Sequence, residues 1–544
     1  MSAYQEFKDY FRGKRDNMNM GLKNFPFKLK TAIVLTILAA IILYFIYLPA
    51  INLRSQAFWF YLFSIQFILI LFAGNKVPYL KTRFLILIGS VVLYLLLSLS
   101  SATFFTSRHY AKVIQVSTGD FESDIEQLPI DKIPTQDRDS AQRLASRTMG
   151  ELLDIVSQFD LEDIYTQINY QDKPVRVSPL SYDGLLKYFV NFRQGIPGYM
   201  MIDIVNGNSD LVKLKEGIKY SHADLLFRNI TLYTRLKYPF DIFDEMNFEV
   251  DDEGTPFWII PTYKPKVGFF GAYDVKDVIT VNAITGDSEK YPVQETPAWI
   301  DRVYNADNIM QQLDWYGMYK NGYWNSRLGQ KGVLKTTEGY NYLALDDDIY
   351  LYTGFTSVSA DESNVGFILT NLRSKETSFY PVSSAKEISA MESAEGAVQE
   401  KNYKATFPLL LNIDSNPTYF LSLKDNAGLI KQFAFIDSDD YQNVAVGSSV
   451  REAYEKHTGK IPEELSNQDL GDLEEINLII PANRQLITLD GDSYYAFSVD
   501  GISYLMRVDL DLDLLWNQDE KESKVFYKQE KSYRNILITV DETN

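Results

Sequence analysis

The chain has 544 residues, 46% of them hydrophobic and 14% aromatic, with a formal net charge of −19 and no cysteine. The missing cysteine excludes disulfides, thiolate nucleophiles and cysteine-based zinc sites together. Charge is divided sharply: residues 1–100 carry 11 Lys/Arg and 3 Asp/Glu, whereas the remainder carries 42 and 69, a net of −27. So acidic a bulk is repelled by phosphate backbones, which disfavours nucleic-acid binding.

In chain order, residues 1–30 form a basic segment holding Lys8, Arg12, Lys14, Arg15, Lys23, Lys28 and Lys30. Three uncharged apolar runs follow, Thr31–Leu53, Phe58–Ala73 and Phe84–Phe105. A spanning helix needs about 20 apolar residues at about 1.5 Å each. The first and third runs meet that. The second is short, carries Ser64 and Gln66, and spans if Trp59 and Tyr61 sit at the interface, where amphipathic rings are favoured. The first loop holds only Arg54, while the second holds Lys76, Lys81 and Arg83. The positive-inside rule therefore predicts a cytoplasmic N-terminus and a large domain outside the membrane.

Beyond residue 105 the pattern predicts a multi-module α+β ectodomain: a membrane-proximal module over 106–240, repeated modules over 241–460, and an all-β barrel or sandwich over 461–544. Ala111–Val116 alternates as a strand. Asp137 and Asp139 start an amphipathic helix over Ser140–Leu153. Ile164–Tyr170, Val175–Val177 and Tyr199–Val205 read as strands, and Tyr182–Phe192 and Ser221–Leu236 as helices. Asn206-Gly207 or Gly207-Asn208 supplies the positive φ of a hairpin turn. Residues 248–291 read as strand, glycine break at Gly268 and Gly271, strand, and a Thr285-Gly286-Asp287 turn. A related pattern returns near 412–455, where Pro417-Thr418-Tyr419 matches Pro256-Phe257-Trp258, and Asp346–Val382 makes a third unit. Helices are predicted over Pro297–Met318, Ala385–Glu392 and Ser449–Lys456. Six short strands between Ile476 and Val540, with Asp490-Gly491-Asp492 and Asp500-Gly501 turns, suggest the terminal barrel.

The run Val278–Gly286, preceded by a strand whose Phe257-Trp258 follows an Asp-Glu-Gly-Thr-Pro turn, resembles the PepSY-type hairpin. Such modules end in a valine–x–valine–aspartate, threonine–glycine turn; here Asn282 stands in the aspartate position. More widely, the chain looks like the uncharacterised multi-spanning surface proteins of Gram-positive bacteria. The resemblance implies a small antiparallel α+β module and no particular activity.

Candidate chemistry is sparse. The three histidines, His109, His222 and His457, lie far apart and in no metal-binding spacing, and no GxSxG elbow is present. The cluster Asp437, Asp439 and Asp440 is a candidate for Ca²⁺, which takes oxygen ligands. The aromatic stretch Trp299, Tyr304, Trp315, Tyr316, Tyr319, Tyr323 and Trp324 is the candidate contact surface, because such rings join an apolar body to a polar tip. The composition therefore predicts a non-enzymatic, membrane-anchored binding or scaffolding protein of the bacterial envelope. Its partners would be the bilayer and a protein or cell-wall component. A carboxylate-dependent wall-polymer enzyme and an accessory subunit of a transport or secretion complex are the alternatives.

Overall fold

The computed structural model describes residues 29–73, 80–345, 347–358, 363–460, 474–489, 492–499, 502–507, 521–531 and 534–541. Three apolar helices come first: α1 (Leu29–Tyr47), α2 (Gln56–Ala73) and α3 (Leu80–Leu99). α1 stops ahead of the predicted Leu53 because Pro49 cannot continue a helix. Two of the three, over Lys30–Tyr47 and Lys81–Leu99, are long and apolar enough to cross a membrane, and Gln56–Phe72 is shorter. Only 11% of the first window and none of the second is buried, so they are not core helices of a soluble body. Gln66 accepts from Ser90 Oγ at 3.2 Å, joining α2 to α3, whereas Ser64 bonds back to the Phe60 carbonyl of its own helix.

The third apolar run breaks at Leu99, and α4 (Thr103–Tyr110) is a separate helix. The strand predicted over Ala111–Val116 does not form. The N–H groups of Ala111, Lys112 and Val113 turn back onto the carbonyls of Ser107, His109 and Tyr110 instead. Only Ser117–Thr118 pairs, in parallel with Ser378 and Phe379.

α5 (Arg138–Glu151) is started by Asp137, whose carboxylate accepts from Ser140 N at 2.9 Å. α6 (Leu185–Asn191) lies within its predicted span. The helix predicted from Ser221 begins only at Ile230, as α7 (Ile230–Lys237). Ser221 Oγ is engaged by Asp224, and the N-cap is Asn229, whose side chain accepts from Leu232 N. Likewise α8 (Ala306–Tyr319) begins well after Pro297, because the N–H groups of Asp301 and Arg302 bond to the Glu249 carboxylate rather than to a helix. α9 (Glu387–Ala397) and α10 (Val450–Thr458) follow, and two single-turn helices lie at Phe121–Asp124 and Leu153–Val156.

Four largely antiparallel sheets occupy residues 117–447. The first is built from Phe159–Leu161, Thr166–Tyr170, Lys173–Tyr182, Ile196–Asp203 and Ser209–Ile218. The second is a meander of Asn247–Val250, Pro256–Val267, Gly271–Asn282 and Ser288–Pro292. The third is centred on Asp348–Ser357 and Ser363–Asn371, the fourth on Asn416–Lys424 and Ile430–Asp437.

Strand alternation explains how the sheets stack. Trp258 and Ile260 enter a core shared with the first sheet and with Ala141, Ala145 and Met149 of α5. Ile259, between them, enters a second core with Ile309 and Leu313 of α8 and with Leu351 and Phe355 of the third sheet. Tyr352 of that same third-sheet strand enters a third core with α9 and the fourth sheet. The inner strands are thus buried on both faces, which is why they read as near-continuous apolar runs. The first core also spans residue 240, so packing does not divide there. The chain falls into two compact units, Met1–Ala453 and Tyr454–Asn544. In the second, six strands between Glu474 and Asp541 form one sheet, with Ser503–Met506 parallel to Arg534–Leu537.

One turn recurs in three sheets, at Asp203, Asn282 and Asn371. In each, the residue's N–H donates to the carbonyl of Asn208, Asp287 or Glu376, and its own carbonyl accepts from Gly207, Gly286 or Lys375. Its side-chain Oδ1 accepts from two further N–H groups: Val205 and Asn206, Ile284 and Thr285, or Arg373 and Ser374. An asparagine oxygen serves as well as an aspartate one, so Asn282 keeps the geometry. Gly207 and Gly286 sit at φ +72° and +80°, where a side chain is disfavoured. We expect Asn282→Ala to destabilise the chain by about 1 kcal/mol, as for loss of a cap, and Asn282→Asp to cost far less. Denaturant titration in detergent measures both.

Candidate functional site

A cleft of about 750 Å³ opens between the first sheet, the start of α5 and the third sheet. Arg176, Arg302, Tyr342 and His222 line it, with Asp137, Asp139, Asp163, Asp244 and Glu245 around it. Arg176 lies on the strand Lys173–Tyr182, and only 5% of it is exposed. Its Nη2 donates to Gln167 Oε1 at 2.9 Å, and its Nε has no partner among the described residues. Arg302 is 7% exposed; its Nη2 donates to Tyr342 OH at 2.8 Å, its guanidinium lies 4.1 Å from the Tyr342 ring centroid, and its Nε is likewise unpartnered. Neither arginine forms an ion pair among the described residues. Burial lowers Arg176 to about 10, which leaves it charged at neutral pH.

Behind Arg302 lies a buried acidic pair. Glu249 accepts from the N–H groups of Asp301 and Arg302 at 2.9 and 3.1 Å. Asp301 accepts from Asn169 N at 2.6 Å. Burial pushes Glu249 up to about 7, against the two N–H donors and the Arg302 charge. Asp301 is pushed up by burial and by Glu249. The cleft thus presents two desolvated guanidiniums at its floor. Their planar forks match a carboxylate or phosphate, and a buried unpaired charge is costly until such a group arrives.

The aromatic stretch does not form one surface. Trp299 packs on Phe257 with ring centroids 5.0 Å apart, and Tyr304 belongs to the second core. Tyr316 packs against that core too. Trp315 meets Tyr110 of α4 edge-on at 4.7 Å, and Tyr319 is buried beside Tyr110 and Val267. Tyr323 and Trp324 flank Phe104, and of the seven only Trp324 is exposed, at 62%. These rings fasten α8 and the chain after it to α4. Nor do Asp437, Asp439 and Asp440 converge. Asp437 accepts from Asn443 and Asp440 from Gln442 N, and among the described residues no group of three acidic or histidine side chains forms a metal-binding cluster. His222 lies edge-on to Trp258 and 3.8 Å from Glu162.

The two arginines went unread in the sequence. The available signal was Arg176 itself, a charge inside the strand-like run Val175–Leu180, all of which is buried. No protein-family model matches the chain, and no curated protein matches it.

Glu249 yields a pH prediction. A carboxyl with its folded-state pKa raised binds its proton more tightly in the folded state, so its contribution is full below about 4.5 and is lost as pH rises towards about 7. Glu249→Gln should flatten the decline of melting temperature across that window, measured by thermal unfolding at fixed ionic strength.

Proposed function

We propose that this protein is a membrane-anchored, extracytoplasmic binding or scaffolding protein of the bacterial cell envelope, acting without catalysis, and that its cleft receives an anionic group. The observation that carries the reading is the pair of buried arginines, Arg176 and Arg302, without a carboxylate partner at the floor of an open cleft. The acidic rim favours a ligand whose anionic end enters first and whose remainder is neutral or cationic. The free carboxyl end of a peptide has that chemistry.

The anchor consists of α1, α2 and α3, each crossing the bilayer, with the basic segment before α1 and the loop between α2 and α3 on the cytoplasmic side. Support comes from the outward-facing apolar side chains of α1 and α3 and from the Lys/Arg asymmetry of the flanking segments. Gln66 and Ser90 supply the interhelical hydrogen bond expected where polar groups meet lipid. The turn shared by Asp203, Asn282 and Asn371 supports repeated PepSY-like modules, as in multi-spanning surface proteins of Gram-positive bacteria. The six terminal strands form one sheet among the described residues, and we read it as part of a small barrel or sandwich.

Protease shaving of intact cells should remove the C-terminal part of the chain; protection of that part would place the body in the cytoplasm. In detergent, phosphate should raise the melting temperature relative to chloride at equal ionic strength. The expected gain is about 1.4 kcal/mol at ten times Kd. The double variant Arg176→Gln/Arg302→Gln should lose the increment, and an increment retained by the variant would remove the cleft from the reading.

A further inference from the structure

Exposed apolar side chains are distributed unevenly over the body. On α6, Tyr188 turns inward while Leu185, Leu186, Phe189 and Val190 are 61–81% exposed. Beside them, Leu226 and Phe227 are 72% and 68% exposed. Arg228 ties the two segments together by donating to the Phe192 carbonyl at 2.6 Å. Leu226 is held at φ +54°, a costly conformation for a bulky residue. By contrast, in residues 330–453 the most exposed large apolar side chain of the described residues is Ile388, at 44%.

The charge of these segments is inverted relative to their surroundings. Residues 185–193 and 225–240 contain no Asp or Glu, in a chain that is net −27 beyond residue 100, and their basic residues other than the buried Arg235 are Lys187, Arg193, Arg228 and Lys237. Leucine and phenylalanine interleaved with lysine and arginine is the composition of a surface that settles into a lipid interface. Basic groups are drawn to anionic lipid headgroups.

The patch is continuous with the anchor. From Leu226 and Phe227 the chain runs through α7 to Pro239 and Phe240. The carbonyls of these two residues accept from Ile51 N at 2.7 Å and Asn52 Nδ2 at 3.0 Å, in the loop that joins α1 to α2. Phe240 is itself 65% exposed there.

We infer that α6 and the Leu226–Phe227 turn rest on the outer leaflet of the membrane that α1–α3 cross, with the apolar side chains among the upper acyl carbons and the basic ones on anionic headgroups. The inference rests on the anchored reading proposed above. It gives the body a second attachment, which fixes its tilt against the bilayer.

The cysteine-free chain makes the test direct. Single variants Leu186→Cys, Leu226→Cys, Leu429→Cys and Ile42→Cys of the full chain are spin-labelled in nanodiscs of phosphatidylcholine with phosphatidylglycerol. The accessibility ratio of oxygen to a water-soluble nickel chelate is then measured at each site. Labels at 186 and 226 should show ratios several-fold above that at 429, falling when phosphatidylglycerol is replaced. If they match 429 while the label at 42 lies in hydrocarbon, the lipid contact is overturned and the anchor stands. A water-like label at 42 overturns the anchor as well. Labels at 186 and 226 shielded from both reagents would mean a protein contact and overturn the lipid assignment. A ratio indifferent to phosphatidylglycerol would overturn the headgroup assignment.

Discussion

The body of this protein turns on one buried ion pair. Lys375 Nζ lies 2.7 Å from Asp274 Oδ1, and also donates to the Val113 carbonyl and to Gln312 Oε1 at 3.2 Å. Those four residues come from the turn closing the third sheet, from the second sheet, from the segment leaving α4, and from α8. Lys375 occupies the turn position taken by glycine in the two sister turns, at φ +66°. The left-handed conformation costs a non-glycine residue about 1 kcal/mol, and breaking a buried pair costs about 3–5 kcal/mol. The balance explains why the third turn keeps a lysine where Gly207 and Gly286 are sterically preferred. Asp274 also faces a second cation, Lys266, at 3.5 Å.

That pair sits at the second core, and the layers on either side follow from it. The second sheet faces α5 and the first sheet through Trp258, and faces α8 and the third sheet through Ile259. The cleft opens where the first and third sheets fail to close over Arg176 and Arg302. Its guanidiniums donate to the neutral Gln167 and Tyr342, and neither forms an ion pair among the described residues. An anion bound there, as proposed, would draw on the same desolvation that otherwise destabilises the fold.

Local signals were legible in the sequence where their causes are local. Asp137 starts α5, Gly207 and Gly286 carry the positive φ of their turns, and the hairpin around Gly268 and Gly271 forms as its pattern implies. Helix starts shift where another group competes for the backbone or the cap, whether three residues away or about fifty. Ser221 bonds to Asp224 and leaves Asn229 to cap α7. Glu249, some fifty residues upstream, takes the N–H groups of Asp301 and Arg302 and delays α8. The aromatic stretch looked like a surface because composition does not tell which partner will cover a ring; Tyr110 and Phe104, two hundred residues earlier, do so. The arginines of the cleft belong to no sequence motif, because their meaning lies in which side chains the fold brings around them.

The tip of the second-sheet hairpin is joined directly to the end of α3. Gly268 leaves room for the Ser100 carbonyl, which would stand 2.5 Å from any Cβ there. The N–H groups of Phe269 and Phe270 donate to Ser100 Oγ and Ser101 Oγ at the end of α3. Tyr110 OH also donates to the Ser101 carbonyl. No slack separates the apolar helix from the strand Pro256–Val267, which is gripped by two cores. The end of α3 is therefore fixed directly to the second sheet and, through the two faces of that sheet, to both neighbouring layers. The hairpin is thus the rivet that joins the apolar helices to the stacked sheets without an intervening linker.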